Sequence, residues 1–441
     1  MGRKPLDVDI IAMDLVTSED TSRKKILADK IRSMAYKNGI YPSSIHEFYM
    51  ARGRGDFSGI TIPAINLRSM AYDLAKAIFR VAKRNGSGAF IFEIAKSEMG
   101  YTAQPPIEYT SVILSAALKE GYSGPVFIQG DHFQVNAQKF KDNPDKELDG
   151  LKALITDAIE GGFYNIDIDS STLVDLSKPT VKKQQEANFE TCAKLTQFIR
   201  QIQPKGMEVS VGGEIGEVGH QNSTPEDLHA FMAGFKERLR KGRKGISKIS
   251  VQTGTSHGGV VLPDGSIAQV KIDFETLRIL SEIARKEYGL AGAVQHGAST
   301  LPAEAFHKFA EAETAEVHLA TEFQNMIYES KHFPSGLKSK IYEWLKANAA
   351  NETKPGETEE QFFYKTRKKA LGPFKKEIMG LPKEARDAIA KEIEDKFEFL
   401  FKQLNAVSNK ELVDKFVTLK RVISRKRQEK PEVVHTGEGA D

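Results

Sequence analysis

One unit repeats eight times along the middle of this chain: a short apolar run, then a stretch with helical apolar spacing. The runs cover residues 61–67, 89–95, 125–131, 164–169, 207–214, 245–254, 290–297 and 315–321. Between them lie amphipathic segments such as SMAYDLAKAIFRVAKRNG and IEYTSVILSAALKEG. Alternating strand and helix patterns call for a parallel sheet covered by helices. Eight units over about 270 residues give the length and beat of a (β/α)8 barrel. An open doubly wound sheet shares the local pattern, but the count and the position of the polar residues favour the barrel.

The repeat divides the chain. Residues 1–55 read as a polar, partly helical extension, in which TSRKKILADKIRSMAYKNG sets Ile26, Leu27, Ile31, Met34 and Ala35 at helical spacing and ARGRGDFSG reads as a loop. Residues 56–330 form the expected barrel. Residues 331–425 are charged and helical in pattern, and 426–441 have the composition of a disordered tail.

Charge and cysteine content narrow the chemistry. Lys and Arg number 63 against 60 Asp and Glu, a net charge of +3. That balance argues against nucleic acid or an anionic membrane as partner. The single cysteine, Cys192, excludes an internal disulfide and any thiolate-rich metal site, so a metal here needs His and carboxylates. No apolar run is long enough to span a bilayer, and MGRKPLDVDIIAMDL lacks a secretory apolar core. The expected setting is the cytoplasm.

In such a barrel, functional groups follow the strands at their C-terminal ends. Those positions hold Asp131 and His132 after the third run, Asp169 after the fourth and Glu214 after the fifth. His257 follows the sixth, His296 ends the seventh, and His318 with Thr321 ends the eighth. His132, His257 and His296, at three strand tips beside glycines or carboxylates, make the ligand set of a catalytic zinc site with an open position.

These segments resemble the class II, zinc-dependent fructose-bisphosphate aldolase superfamily over roughly Ile60 to Glu329. The similarity lies in QGDHF, IDSS, GEIGEVG, SHGG and QHGAS, in that order. GDHFQVN and FEIAKSEMGYT are also similar to the larger subunit-like proteins of tagatose-bisphosphate aldolase. The resemblance implies zinc on His132, His257 and His296, with Glu214 and Asp169 at an alternative, buried metal position, or a monovalent cation nearby. It implies that Asp131 shuttles the proton of the substrate C4 hydroxyl. It places Gly258, Gly297, Ser299 and Thr321 in a phosphate cradle. Glu217 and His220, after the fifth strand, are the candidates for a mobile acid.

The pattern also departs from the family. His318 stands where an asparagine steadies the enediolate, Ala320 and Glu322 replace aspartates, and HGGVVLPDGS lacks the family's lysine. The implied activity is aldol cleavage of a ketose phosphate, by a homo-oligomer or with a second aldolase subunit. Three alternatives stand: a non-catalytic subunit of a tagatose-bisphosphate aldolase complex, a metal-dependent sugar-phosphate isomerase or epimerase, and a Schiff-base enzyme using Lys96.

Overall fold

The computed structural model describes residues 7–216, 221–254 and 272–422. Nine strands form one parallel sheet: β1 (Ile40–Ser43), β2 (Ile62–Asn66), β3 (Ile91–Ala95), β4 (Gly124–Gln134), β5 (Asn165–Asp169), β6 (Ser210–Gly216), β7 (Lys248–Val251), β8 (Ala293–Gln295) and β9 (Glu316–Leu319). From β2 to β9 each strand pairs with the next, and β2 pairs with β9 through Ile62↔Glu316. The sheet is therefore closed into the expected eight-stranded (β/α)8 barrel, each strand succeeded by helix.

The strands match the apolar runs, most with shorter ends, although β4 continues past its run to Gln134 and β6 past its run to Gly216. β6 starts at Ser210 instead of 207, because Met207–Val209 still belong to the turn after the preceding helix, where Met207 N–H donates to the Pro204 carbonyl. Helices cover the outer wall because one face of each is apolar: Leu74, Ala75, Ile78, Phe79 and Ala82 of the helix Ala71–Arg84 are all buried.

The N-terminal segment does more than its polarity suggests. Helices α1 (Val8–Thr17) and α2 (Thr21–Lys37) pack against the helix Pro106–Lys119. Ile31 and Ala35 are buried as the spacing requires, whereas Ile26 is 68% exposed because it lies off that face. The ninth strand, β1, was not legible in the sequence; it pairs with the first residues of β4, Ile40↔Gly124 to Ser43↔Phe127. Helix α3 (His46–Gly53) then crosses the bottom of the barrel. Ala51–Gly53, expected in a loop, form its last turn, and the fully buried Arg52 donates to the Ile60 carbonyl and pairs with Glu313 at 3.0 Å.

The floor is an apolar cluster of its own. Ile45, Phe48 and Tyr49 meet Ile62, Ala64, Ile91 and Phe127 of the strands, and Val413 and Val417 join from the far end of the chain. Up to residue 422 the rest of the C-terminal segment is largely helical, and its Phe397, Leu400 and Phe401 belong to the same core as the outer helices of the barrel; the tail expected at 426–441 lies outside the described residues. Asn409 Oδ1 accepts from the N–H groups of Gly88 and Ala89, fixing the end of the chain to the entry of β3. With the floor closed at both chain ends, the C-terminal mouth is where polar side chains converge.

Candidate active site

Successive strand residues point to opposite faces, so Asp131 and His132 should not both face the lumen. They do, because β4 breaks its register with β5 between Gly130 and Phe133. His132 takes the left-handed region, φ 38°, which a side chain adopts at a cost of about 1–3 kcal/mol. Gly130 makes the break possible: a Cβ there would lie 2.4 Å from the Phe133 ring. The bulge folds Phe133 beneath the strand and turns both Asp131 and His132 into the mouth.

Two groupings follow from that turn. His132 Nδ1 lies 3.4 Å from Asp169 Oδ2 and 3.3 Å from Glu214 Oε2. On the other side, Asp131 Oδ1 accepts from His296 Nε2 at 3.2 Å and lies 3.3 Å from His318 Nδ1. The His296 ring sits between the other two imidazoles, with centroids 4.2 Å from His132 and 4.0 Å from His318. Asp131, His132 and His296 bring their ligand atoms within 4.8 Å of one another, and so do His132, Asp169 and Glu214.

The charges are graded. Burial drives carboxyl pKa values up, but the imidazoles of His132 and His318 outweigh it at Asp131 and hold it well below the ordinary range. Burial likewise opposes the contact of Asp169 with His132, which nonetheless lowers it to about 2. Glu214, beside ionised Asp169, is pushed up to about 7 by burial first and by that neighbour second. Asp169 is further fixed by Gln134 and Ser171, each donating at 2.6 Å.

Three of the residues expected near a phosphate follow the adjoining strands β8 and β9. Gly297 has φ 68°, Ser299 and Thr321 are buried, and Thr321 opens the helix Thr321–Glu329. Glu322, one residue on, lies against Lys396 of the helix Lys383–Gln403 at 3.9 Å. Lys96 donates to the Gln134 carbonyl at 2.9 Å and lies 3.6 Å from Glu147. Glu217, His220, His257 and Gly258 lie outside the described residues.

Beneath the mouth is a second polar layer that strand-tip reasoning passed over. Glu93, Gln129, Asp167, Lys248 and Glu316 are buried in the lumen. Lys248 Nζ donates to Glu316 at 2.5 Å, Asp167 at 2.8 Å and Gln129 at 2.9 Å. Tyr49 OH, rising from the floor, donates to Glu316. Gly212 leaves room for this crossing, since a Cβ would lie 2.3 Å from Asp167 Oδ1. The signal was present in the sequence: Gln129, Asp167 and Glu316 each stand two places before a tip residue, on the same face of an otherwise apolar strand.

The chain is thus a parallel eight-stranded barrel whose C-terminal mouth gathers imidazoles and carboxylates that could hold a metal ion. The family model "Fructose-bisphosphate aldolase class-II" matches residues 56–405, and the chain belongs to that family. No curated protein matches the chain in sequence. Among solved structures, one described as a probable tagatose 6 phosphate kinase from Sinorhizobium meliloti 1021 is similar, at 16% identity and a TM-score of 0.54. The match covers 81% of this chain and 99% of that one. The fructose-bisphosphate aldolase of Campylobacter jejuni gives 16% identity and a TM-score of 0.48, covering 84% and 97%. The YdjI aldolase of Escherichia coli K12 gives 14% and 0.43, covering 78% and 99%. At these identities the likeness to solved structures is one of fold. Among the described residues, no helix is long and apolar enough to cross a membrane.

Proposed function

We propose that the chain is a metal-dependent aldolase that cleaves a phosphorylated ketose between C3 and C4, reversibly, to a dihydroxyacetone-type fragment and an aldehyde. The observation that carries this reading is the β4 bulge, which turns an ionised carboxylate and an imidazole toward one point at the mouth. The donor set fits a divalent cation: imidazoles of His132 and His296 with carboxylates beside them, and no thiol, since Cys192 is buried in a helix. His132 and His296 would hold zinc, with His257 as third ligand and Asp169 and Glu214 as an alternative, deeper pair. When bound, such an ion supplies Lewis-acid polarisation of the ketose carbonyl.

The chain's own residues do the rest. Asp131, held ionised, takes the proton of the C4 hydroxyl as the C3–C4 bond breaks and its electron pair passes to C3. His318, 3.3 Å from the same oxygen, positions Asp131 from below. The proton that returns to C3 comes from a group on the segment after β6, where Glu217 and His220 are the candidates. Backbone N–H groups around Gly297 and at the start of the helix at Thr321, with the Ser299 hydroxyl, suit a phosphate that has few charged partners; Gly258 would complete this side.

The test is kcat/KM for matched phosphorylated and unphosphorylated ketoses on the zinc-loaded protein, alone and with any co-purifying barrel protein. Cleavage of the phosphorylated ketose, at the higher kcat/KM of the pair, is expected. No cleavage of any ketose under either condition overturns the reading.

A further inference from the structure

The carboxylates of the lumen are matched differently at its two levels. Lys248 serves Asp167 and Glu316 in the lower half. Glu93 of that inner layer and Asp131 at the mouth have only histidines as ion-pair partners among the described residues. His318 faces both: its Nδ1 lies 2.8 Å from Glu93 Oε2 and 3.3 Å from Asp131 Oδ1. Yet neither contact has the alignment of a hydrogen bond, and Glu93 Oε1 has no hydrogen-bond partner at all. Glu93 is 1% exposed and His318 4%. Glu93 Oε2 accepts from Gln129 Nε2 at 3.2 Å and Asp131 Oδ1 from His296 Nε2, but a buried ring nitrogen and a buried carboxylate oxygen left without hydrogen bonds call for a missing group.

We propose that Glu93, Asp131 and His318 form a second, inner divalent-cation site beside the one at His132 and His296. One imidazole and two carboxylates suit zinc, manganese(II) or iron(II). The three residues offer ligand atoms within 4.8 Å of one another. The site is separate from the cluster of His132, Asp169 and Glu214, because His318 and Glu93 stand on β9 and β3, across Asp131 from β5 and β6. The companion triad of Asp167, Glu316 and His318 is already filled by the Lys248 ammonium, which leaves the Nδ1 side as the place for the ion. Behind His318, Glu316 Oε1 lies 2.7 Å from Nε2, and Lys248 and Gln129 anchor that carboxylate. Carboxylates placed behind a ligating histidine fix its ring and raise its basicity. The proposal rests on the aldolase reading only for the identity of the outer ion.

The experiment is metal analysis after dialysis against zinc, and separately manganese(II), on the intact chain, with anomalous diffraction from crystals of the loaded protein. Two ions per chain are expected, with one anomalous peak among Glu93, Asp131 and His318. His318→Gln and Glu93→Gln should each lose one ion and keep the other, and His296→Gln should keep the inner one. A wild-type protein with no anomalous peak at that position overturns the proposal, as does a second ion that survives in both inner variants; His318 is then simply paired with its carboxylates. The wild-type diffraction decides the matter even if a variant fails to fold. Two ions with no ketose cleavage leaves this site standing and sinks the aldolase reading; cleavage with one ion does the reverse.

Discussion

Lys248 Nζ lies 2.5 Å from Glu316 Oε1 in the middle of the barrel, and neither side chain is more than 1% exposed. Removing one partner of such a pair leaves an uncompensated charge, at a cost of about 3–5 kcal/mol. Lys248→Met should destabilise the protein by that amount in urea unfolding. Lys248→Met combined with Glu316→Met and Asp167→Asn should recover most of the loss. Additive losses would show that packing, not charge, is the function of the lysine.

Gly130→Ala places a methyl against the buried Phe133 ring, at 2.4 Å. Overpacking of this kind costs about 1–3 kcal/mol. Because relief requires the bulge to open, bound metal should fall together with stability. Phe133→Leu in the same chain should restore part of both, read as a coupling energy in a double-mutant cycle.

His46, at the floor, is held to about pKa 3 by burial first and by Arg200 and Lys244 next. Its ordinary value is 6.5. Between those values the unfolded chain binds the extra proton, so stability rises with pH through this window and falls as acid is added, by up to about 1.4 kcal/mol per pH unit. Neither ring nitrogen has a hydrogen-bond partner. His46→Leu should therefore match or exceed wild-type stability at pH 7.5 and lose less between pH 6.5 and 4. An unchanged acid limb would assign that limb to other groups.

Asp131→Asn separates proton transfer from ion binding at the outer site. Retained zinc at His132 and His296 with kcat reduced by about 10²–10⁴ is the expected result. Loss of zinc with unchanged turnover per bound ion would make Asp131 structural. His132→Asn and His296→Ala should lower bound zinc while far-UV circular dichroism stays that of the barrel. Asparagine is chosen at 132 because it tolerates φ 38° better than alanine does.

The barrel was legible because each strand is a bounded apolar run and each helix has one apolar face. The tip residues were legible because a strand that must end at the mouth shows its polar residue there. That Asp131 and His132 face the same way was not legible, since the period of a strand forbids it and only the Phe133 ring over Gly130 reverses it. The inner layer of Glu93, Asp167, Lys248 and Glu316 escaped notice because its members stand on four different strands; only closure of the sheet brings them together. The strand Ile40–Ser43 escaped because its four residues, with a proline among them, gain strand character only from pairing with β4.

The floor of the barrel has an order of arrival. Tyr49 is made early, but its hydroxyl waits for Glu316, and Thr61 waits for the carbonyl of Leu404. Val413 and Val417 enter the floor cluster later still. A ribosome therefore holds every strand of this barrel before the floor that supports them can be finished. Chains halted before Asn405 carry the strands of the mouth but lack Val413 and Val417 of the floor. During synthesis, the floor will be the part of this fold exposed longest to chaperones and proteases, whereas the N-terminal helices find their partner helix, Pro106–Lys119, early.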